Sequence, residues 1–260
     1  MRRGATHVAT VGDLAKAWTV RTLRARYQQS ALGWSWAVIQ PIATVAVFTL
    51  VFTRVVPIDT AGVPYIVFAY TALVPWALLA SALPDMAMSL VNNFNLVTKI
   101  YFPREALPIA ALAARLVDFG ISAVLLAVLV VVLHTHVSYV WVVFLPLIFL
   151  IQVALILGLG LGSAALNVFY RDVDPVLKLV LQLWFYASPI IYPASLVPEQ
   201  WHWLYFANPM AGVIDGYRDV LLANRVPGWH LVPAAVGSTL LLVAGYWFFK
   251  RVEGRFADII

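Results

Sequence analysis

A chain of 260 residues that is 63% hydrophobic and 11% charged, with a mean hydropathy of +0.88, holds more apolar surface than a soluble domain of that size can bury. The surplus has to face lipid, which predicts an all-α integral membrane protein whose helices satisfy their own backbone groups. The net charge of +5 calls for no nucleic acid, and the lack of cysteine excludes disulfides, thiolate metal sites and a Cys nucleophile.

Residues 1–33 read as a cytoplasmic N-terminal segment. Within it, 13–30 is free of Pro and rich in helix formers; Val20, Leu23 and Tyr27 share one face while Arg21, Arg24 and Arg26 point elsewhere. That pattern predicts an interfacial helix on membrane lipids of the inner leaflet. No cleavable signal peptide is evident, so the first span serves as the insertion signal. A hydrocarbon layer of roughly 30 Å takes about 20 apolar residues in a helix, and uncharged runs of that kind predict six transmembrane helices at about 34–55, 62–84, 108–133, 139–167, 175–194 and 230–250, followed by a cytoplasmic tail, 251–260. The third span carries Arg115 and Asp118, spaced for a local ion pair that lowers the cost of placing either charge in the membrane. His134-Thr135-His136 divides the long uncharged run 119–170 into two spans. With both termini inside, only Arg54, Arg218 and Arg225 of the 17 basic residues fall outside, and that asymmetry orients the chain.

The segment between the second and third spans is too polar to cross a membrane, yet 92–102 is predicted to form a short helix that Pro103 ends. Apolar and aromatic residues shown to water by a cytoplasmic loop call for a partner. Asp172 or Asp174 is expected to cap a helix beginning near Pro175. Gly158, Gly160 and Gly162 lack the Gly-Lys-Ser/Thr of a phosphate loop, and Gly158 with Gly162 has the spacing of close helix packing. The five histidines show no metal-ligand spacing, so neither metal nor cofactor is expected in the chain itself. The outer segment 194–229 concentrates Trp201, Trp203, Tyr205, Phe206, Tyr217 and Trp229, and Asn208-Pro209 reads as a turn between two short re-entrant helices.

Three groups of residues carry a resemblance to a known family. Arg26-Tyr27-Gln28-Gln29-Ser30-Ala31-Leu32-Gly33-Trp34-Ser35-Trp36 with Gln40-Pro41 resembles the entry to the first span of ABC type-2 permeases, in the branch that exports polysaccharides, O-antigen and teichoic acids. Tyr101-Phe102-Pro103-Arg104-Glu105-Ala106-Leu107-Pro108 is similar to the segment between that family's second and third spans. Leu166-Asn167-Val168-Phe169-Tyr170-Arg171-Asp172-Val173, Ser188-Pro189-Ile190-Ile191-Tyr192-Pro193, and Asn208-Pro209 with Arg218 resemble its second half. The resemblance implies a permease, not an enzyme, in a bacterial inner membrane. It implies a homodimer with two separate nucleotide-binding ATPase subunits that bind ATP and Mg, and a lipid-linked glycan as substrate.

On that reading Leu96, Val97, Ile100, Tyr101 and Phe102, with Asn95, Lys99, Arg104 and Glu105 around them, form the coupling segment, 92–105, seated in the ATPase. Arg24, Arg26, Tyr27, Gly33 and Trp34 belong to the interfacial helix and gate, and Trp36, Trp184, Phe185 and Tyr186 line the conduit. Two alternatives are the same fold exporting a drug or small lipid, and a membrane enzyme acting on polyprenyl-phosphate sugars. The second would need clustered carboxylates, and Asp172 and Asp174 are the one close pair.

Overall fold

The computed structural model describes residues 2–27, 35–55, 60, 62–99, 102–132 and 139–256. Every regular element among them is helical. The helices are α1 (Arg2–Tyr27), α2 (Trp36–Leu50, extended by a π-helical turn at Val51–Val55), α3 (Tyr65–Met88), α4 (Phe94–Lys99), α5 (Ala106–Val132), α6 (Tyr139–Phe169), α7 (Val173–Tyr186), α8 (His202–Tyr205), α9 (Pro209–Leu221) and α10 (Leu231–Val252).

Helix α3 is the hub. Most of its side chains are buried, and it touches α2, α5, α6, α7 and α9. It holds Pro75 and Pro84 inside its length, which a membrane helix tolerates when neighbours meet the freed backbone groups. Two buried amides of α6 bond carbonyls along α3: Gln152 Nε2 donates to the Pro75 carbonyl at 2.9 Å, and Asn167 Nδ2 donates to the Ala87 carbonyl at 3.1 Å. Tyr217 of α9 donates to Gln152 Oε1 at 3.0 Å, so three helices share one satisfied polar chain inside an apolar core.

Four described helices, α3, α5, α6 and α10, are long and apolar enough to cross a membrane. The other two predicted spans take a different form. Helix α2 reaches span length only with its π-helical turn. Helix α7 stops at Tyr186, after 14 residues or about 21 Å of rise, where a single helix over 175–194 was expected. The sequence Ser188-Pro189 ends it, since Pro disfavours a helical conformation in the preceding residue and donates no hydrogen bond, and Ile190 beyond it is fully buried.

The N-terminal helix also differs in its face. Ala15, Trp18, Thr19 and Thr22 turn inward and pack on α5, and Thr19 Oγ1 bonds the Ala15 carbonyl at 2.7 Å. Val20, expected on the apolar face, is 41% exposed. Packing on α5 has set the rotation of α1, overriding the weak amphipathic pattern.

Candidate functional site

Two ends of the bundle carry the residues singled out from the sequence. At one, a 3-10 turn (Val91–Asn93) leads from α3 into α4, which among the described residues is α-helical only over Phe94–Lys99 where a short helix over 92–102 was expected, and Phe102 lies outside any helix. Asn93 Nδ2 donates to the Ser89 carbonyl at 2.8 Å, and Leu90 is fully buried beneath the turn. Phe94 and Asn95 are exposed and Leu96 is half-buried. Val97 and Lys99 lie within α4, while Ile100 and Tyr101 fall outside the described residues. Phe102 leans on a second apolar cluster that includes Leu90, Leu107, Leu161, Phe249 and Phe256. Pro103 ends this stretch, and its carbonyl accepts from Ala106 N at 3.1 Å where α5 begins.

Arg104 and Glu105, expected at the rim of a partner contact, are engaged within the chain. Arg104 donates to the Glu253 backbone carbonyl, and Glu105, 4% exposed, accepts from Lys250 Nζ at 2.8 Å. Nothing local in the sequence marks that pair, because 145 residues separate its members.

Beside α4 a cleft of about 490 Å³ opens between α1, α3, α5 and α7, lined among others by Trp18, Asp85, Asn92, Asn93, Asp174 and Lys178. Asp172 stands at the N-cap of α7 without a side-chain capping bond, and Asp174 in the first turn pairs with Lys178 at 2.7 Å. The predicted Arg115–Asp118 pair is present at 3.4 Å, but the closer partner of Arg115 is Asp85 of α3, at 2.7 Å. Of the expected gate residues, Arg24 is exposed near the end of α1 and Arg26 and Tyr27 close the helix. Gly33 and Trp34 lie outside the described residues, and Trp36 opens α2.

At the other end, Asn208 ties three segments together. Its Oδ1 accepts from Met210 N at 3.0 Å, capping α9, and from Trp184 Nε1 at 2.8 Å. Its Nδ2 donates to Ser188 Oγ at 3.0 Å. The turn predicted at Asn208-Pro209 is therefore found between α8 and α9. Trp184 meets Trp76 edge-on at 6.0 Å, and Phe185 packs on Trp76 at 5.7 Å and on Phe48 at 6.2 Å. Of the three α7 aromatics expected along a conduit, only Tyr186 is largely open, at 61% exposure.

Helix α9 is almost wholly buried and brings in charges that sequence reasoning left out of the site. Arg218 is 7% exposed, lies 3.6 Å from the Phe68 ring centre, and donates to the carbonyls of Ile190 at 3.0 Å and Tyr192 at 3.3 Å. Asp219 accepts from Arg225 and from Gly228 N at 3.0 Å, with His230 Nε2 3.3 Å away. The available signal was three charges, Asp215, Arg218 and Asp219, inside a short, otherwise largely apolar helix. Among the described residues no group of three or more His, Asp or Glu could hold a metal ion.

The model of the ABC-2 type transporter family matches residues 14–222. The chain is 29% identical to the O-antigen export system permease protein RfbA of Klebsiella pneumoniae over 95% of each chain, and 30% identical to the protein of that name from Myxococcus xanthus over 92% of each. It is 23% identical to the polysialic acid transport protein KpsM of Escherichia coli, over 90% of this chain and 91% of that one.

Proposed function

The chain belongs to the ABC-2 type transporter family, and from that premise we propose that it moves a lipid-linked glycan, O-antigen or capsule in type, across a bacterial inner membrane. It is a multi-pass membrane protein and a polysaccharide exporter permease rather than an enzyme. The observation that carries this reading is full-length similarity to permeases named for O-antigen export, together with a family match that spans α2 through α9. A partner ATPase of the ABC type supplies the energy. Two such subunits, holding ATP and Mg, serve two copies of this chain, and both termini lie in the cytoplasm.

Pairing of two copies is supported by α7. Val176, Leu179, Val180 and Leu183 follow the spacing of one helical face and are all exposed within a single chain. Helix α2 stands beside it through the Phe48–Phe185 stack and presents Ile39, Ile42, Val47 and Leu50 outward. Across a two-fold axis these faces would enclose a path that neither copy encloses alone, with Tyr186 at its upper part. Helix α4, with Phe94, Asn95 and Leu96 at the surface, is the element that the ATPase would grip.

Deleting the gene should strip the polysaccharide from the cell surface while undecorated cells accumulate the lipid-linked polymer inside. Surface polysaccharide at its normal level in the deletion strain would sink the reading.

A further inference from the structure

The end of α10 closes over the segment that leaves α4. Lys250 Nζ reaches Glu105 Oε1 at 2.8 Å and both carboxylate oxygens of Glu253 at 3.1 Å. The Arg104 guanidinium donates to the Glu253 carbonyl and lies 5.9 Å from the ring centre of Phe256. Phe256, in the short turn that follows α10, is fully buried against Phe169 at 6.0 Å and Phe249 at 5.5 Å. The same apolar cluster takes in Leu90, just before α4, and Phe102, just after it. Both roots of the α4 segment are thus seated in a cluster built by α6 and α10.

We propose that residues 250–256 form a clamp that carries displacement of α4 into α10, with Glu105 and Lys250 as its positioning residues; this rests on the reading that α4 receives the stroke of the ATPase. A helix of six residues has little stiffness of its own, so its movement is delivered only where its flanks are fixed. An ion pair between the buried Glu105 and the half-buried Lys250 supplies that fixation. Separating them would strand a buried carboxylate, which is far costlier than moving the two together, so Glu105 and Lys250 travel as one body. Helix α10 is in turn locked to α6, since a methyl group on Gly245 would collide with the backbone oxygen of Gly158 and one on Gly158 with the backbone of Leu241. Close packing of this kind transmits displacement instead of absorbing it. Through α5, which starts at Ala106, the stroke reaches one side of the bundle; through the clamp it reaches α6 and α10 as well.

The test uses the permease assembled with its ATPase in proteoliposomes, measuring glycan exported and ATP hydrolysed in parallel. Glu105→Gln and Lys250→Met should each lower the glycan exported per ATP by about three-fold or more, and the exchange Glu105→Lys with Lys250→Glu should restore most of that ratio. Phe256→Leu, which keeps the cluster filled, should lower it less. A ratio unchanged in both single variants, or a loss that the exchange does not restore, would overturn the clamp. Leu96→Asp on α4 separates the two levels. If it uncouples export while the clamp variants do not, the clamp alone falls; if it leaves the ratio unchanged, the role assigned to α4 falls with it.

Discussion

Arg115 Nε lies 2.7 Å from Asp85 Oδ2, joining the end of α3 to the first third of α5, while Asp118 on its own helix stands 3.4 Å from Nη1. Arg115 therefore serves two carboxylates at once, one on α3 and one on its own helix. Removing the arginine should cost more than removing either acid. Both groups are partly exposed, so the interhelical pair contributes about 1 kcal/mol at most. In a double-mutant cycle of thermal unfolding in detergent, Arg115→Met should be the most damaging single change, and adding Asp85→Asn to it should recover stability. Equal and additive losses would show that the pair does not couple the helices.

The glycines of α6 are not equivalent. Gly158 meets the backbone of α10, whereas the nearest atom to a methyl on Gly162 is Gly245 Cα, at 3.9 Å. Gly158→Ala should destabilise the fold by about 1–3 kcal/mol, as overpacking does. Gly162→Ala should be neutral or stabilising by up to about 1 kcal/mol. Unfolding midpoints of the two variants check this; the reverse order would mean that α6 and α10 cross elsewhere.

Arg218 closes the end of the bundle away from α4 by donating to two carbonyls of the chain that follows α7. Arg218→Met leaves both acceptors without that donor and should cost about 3 kcal/mol. Arg218→Lys should cost less but more than nothing, because an ammonium lacks the planar fork and its stacking on Phe68. Denaturation monitored by tryptophan fluorescence separates the three proteins, and a lysine variant as stable as the parent would contradict the forked contact.

Much of this architecture is legible in the sequence because the length of an apolar run is a local property. Asn208-Pro209 announces a helix start, and α9 duly begins there with Asn208 as its cap. What escapes a linear reading are pairings between distant segments: Asp85 with Arg115, Glu105 with Lys250, Arg218 with the carbonyls near Tyr192. The rotation of α1 escapes for a related reason, since Val20 and Thr19 differ in which of them meets α5, and that is decided by the neighbour. The early stop of α7 at Tyr186 was foreshadowed by Ser188-Pro189, but hydropathy alone runs on through the break.

The chain has no cysteine, so single cysteines report on the segment 194–229 without background. Trp203 and Asn224 are both exposed within one chain, and Asn224 sits at a tight turn with φ 51°. If α8 dips towards lipid, a bulky membrane-impermeant thiol reagent should label Asn224→Cys quickly and Trp203→Cys slowly in intact membranes. Equal, rapid labelling would describe a plain surface loop.

Transport by purified components bears most directly on the central claim. The permease should be co-reconstituted with its ATPase in sealed vesicles, loaded with the lipid-linked polysaccharide on the ATPase side. The account predicts that ATP drives the polymer to the opposite face, where an externally confined lectin or glycosidase detects it, and that neither subunit alone supports this. ATP hydrolysis without appearance of the polymer, accompanied by movement of a small amphiphile in its place, would contradict it.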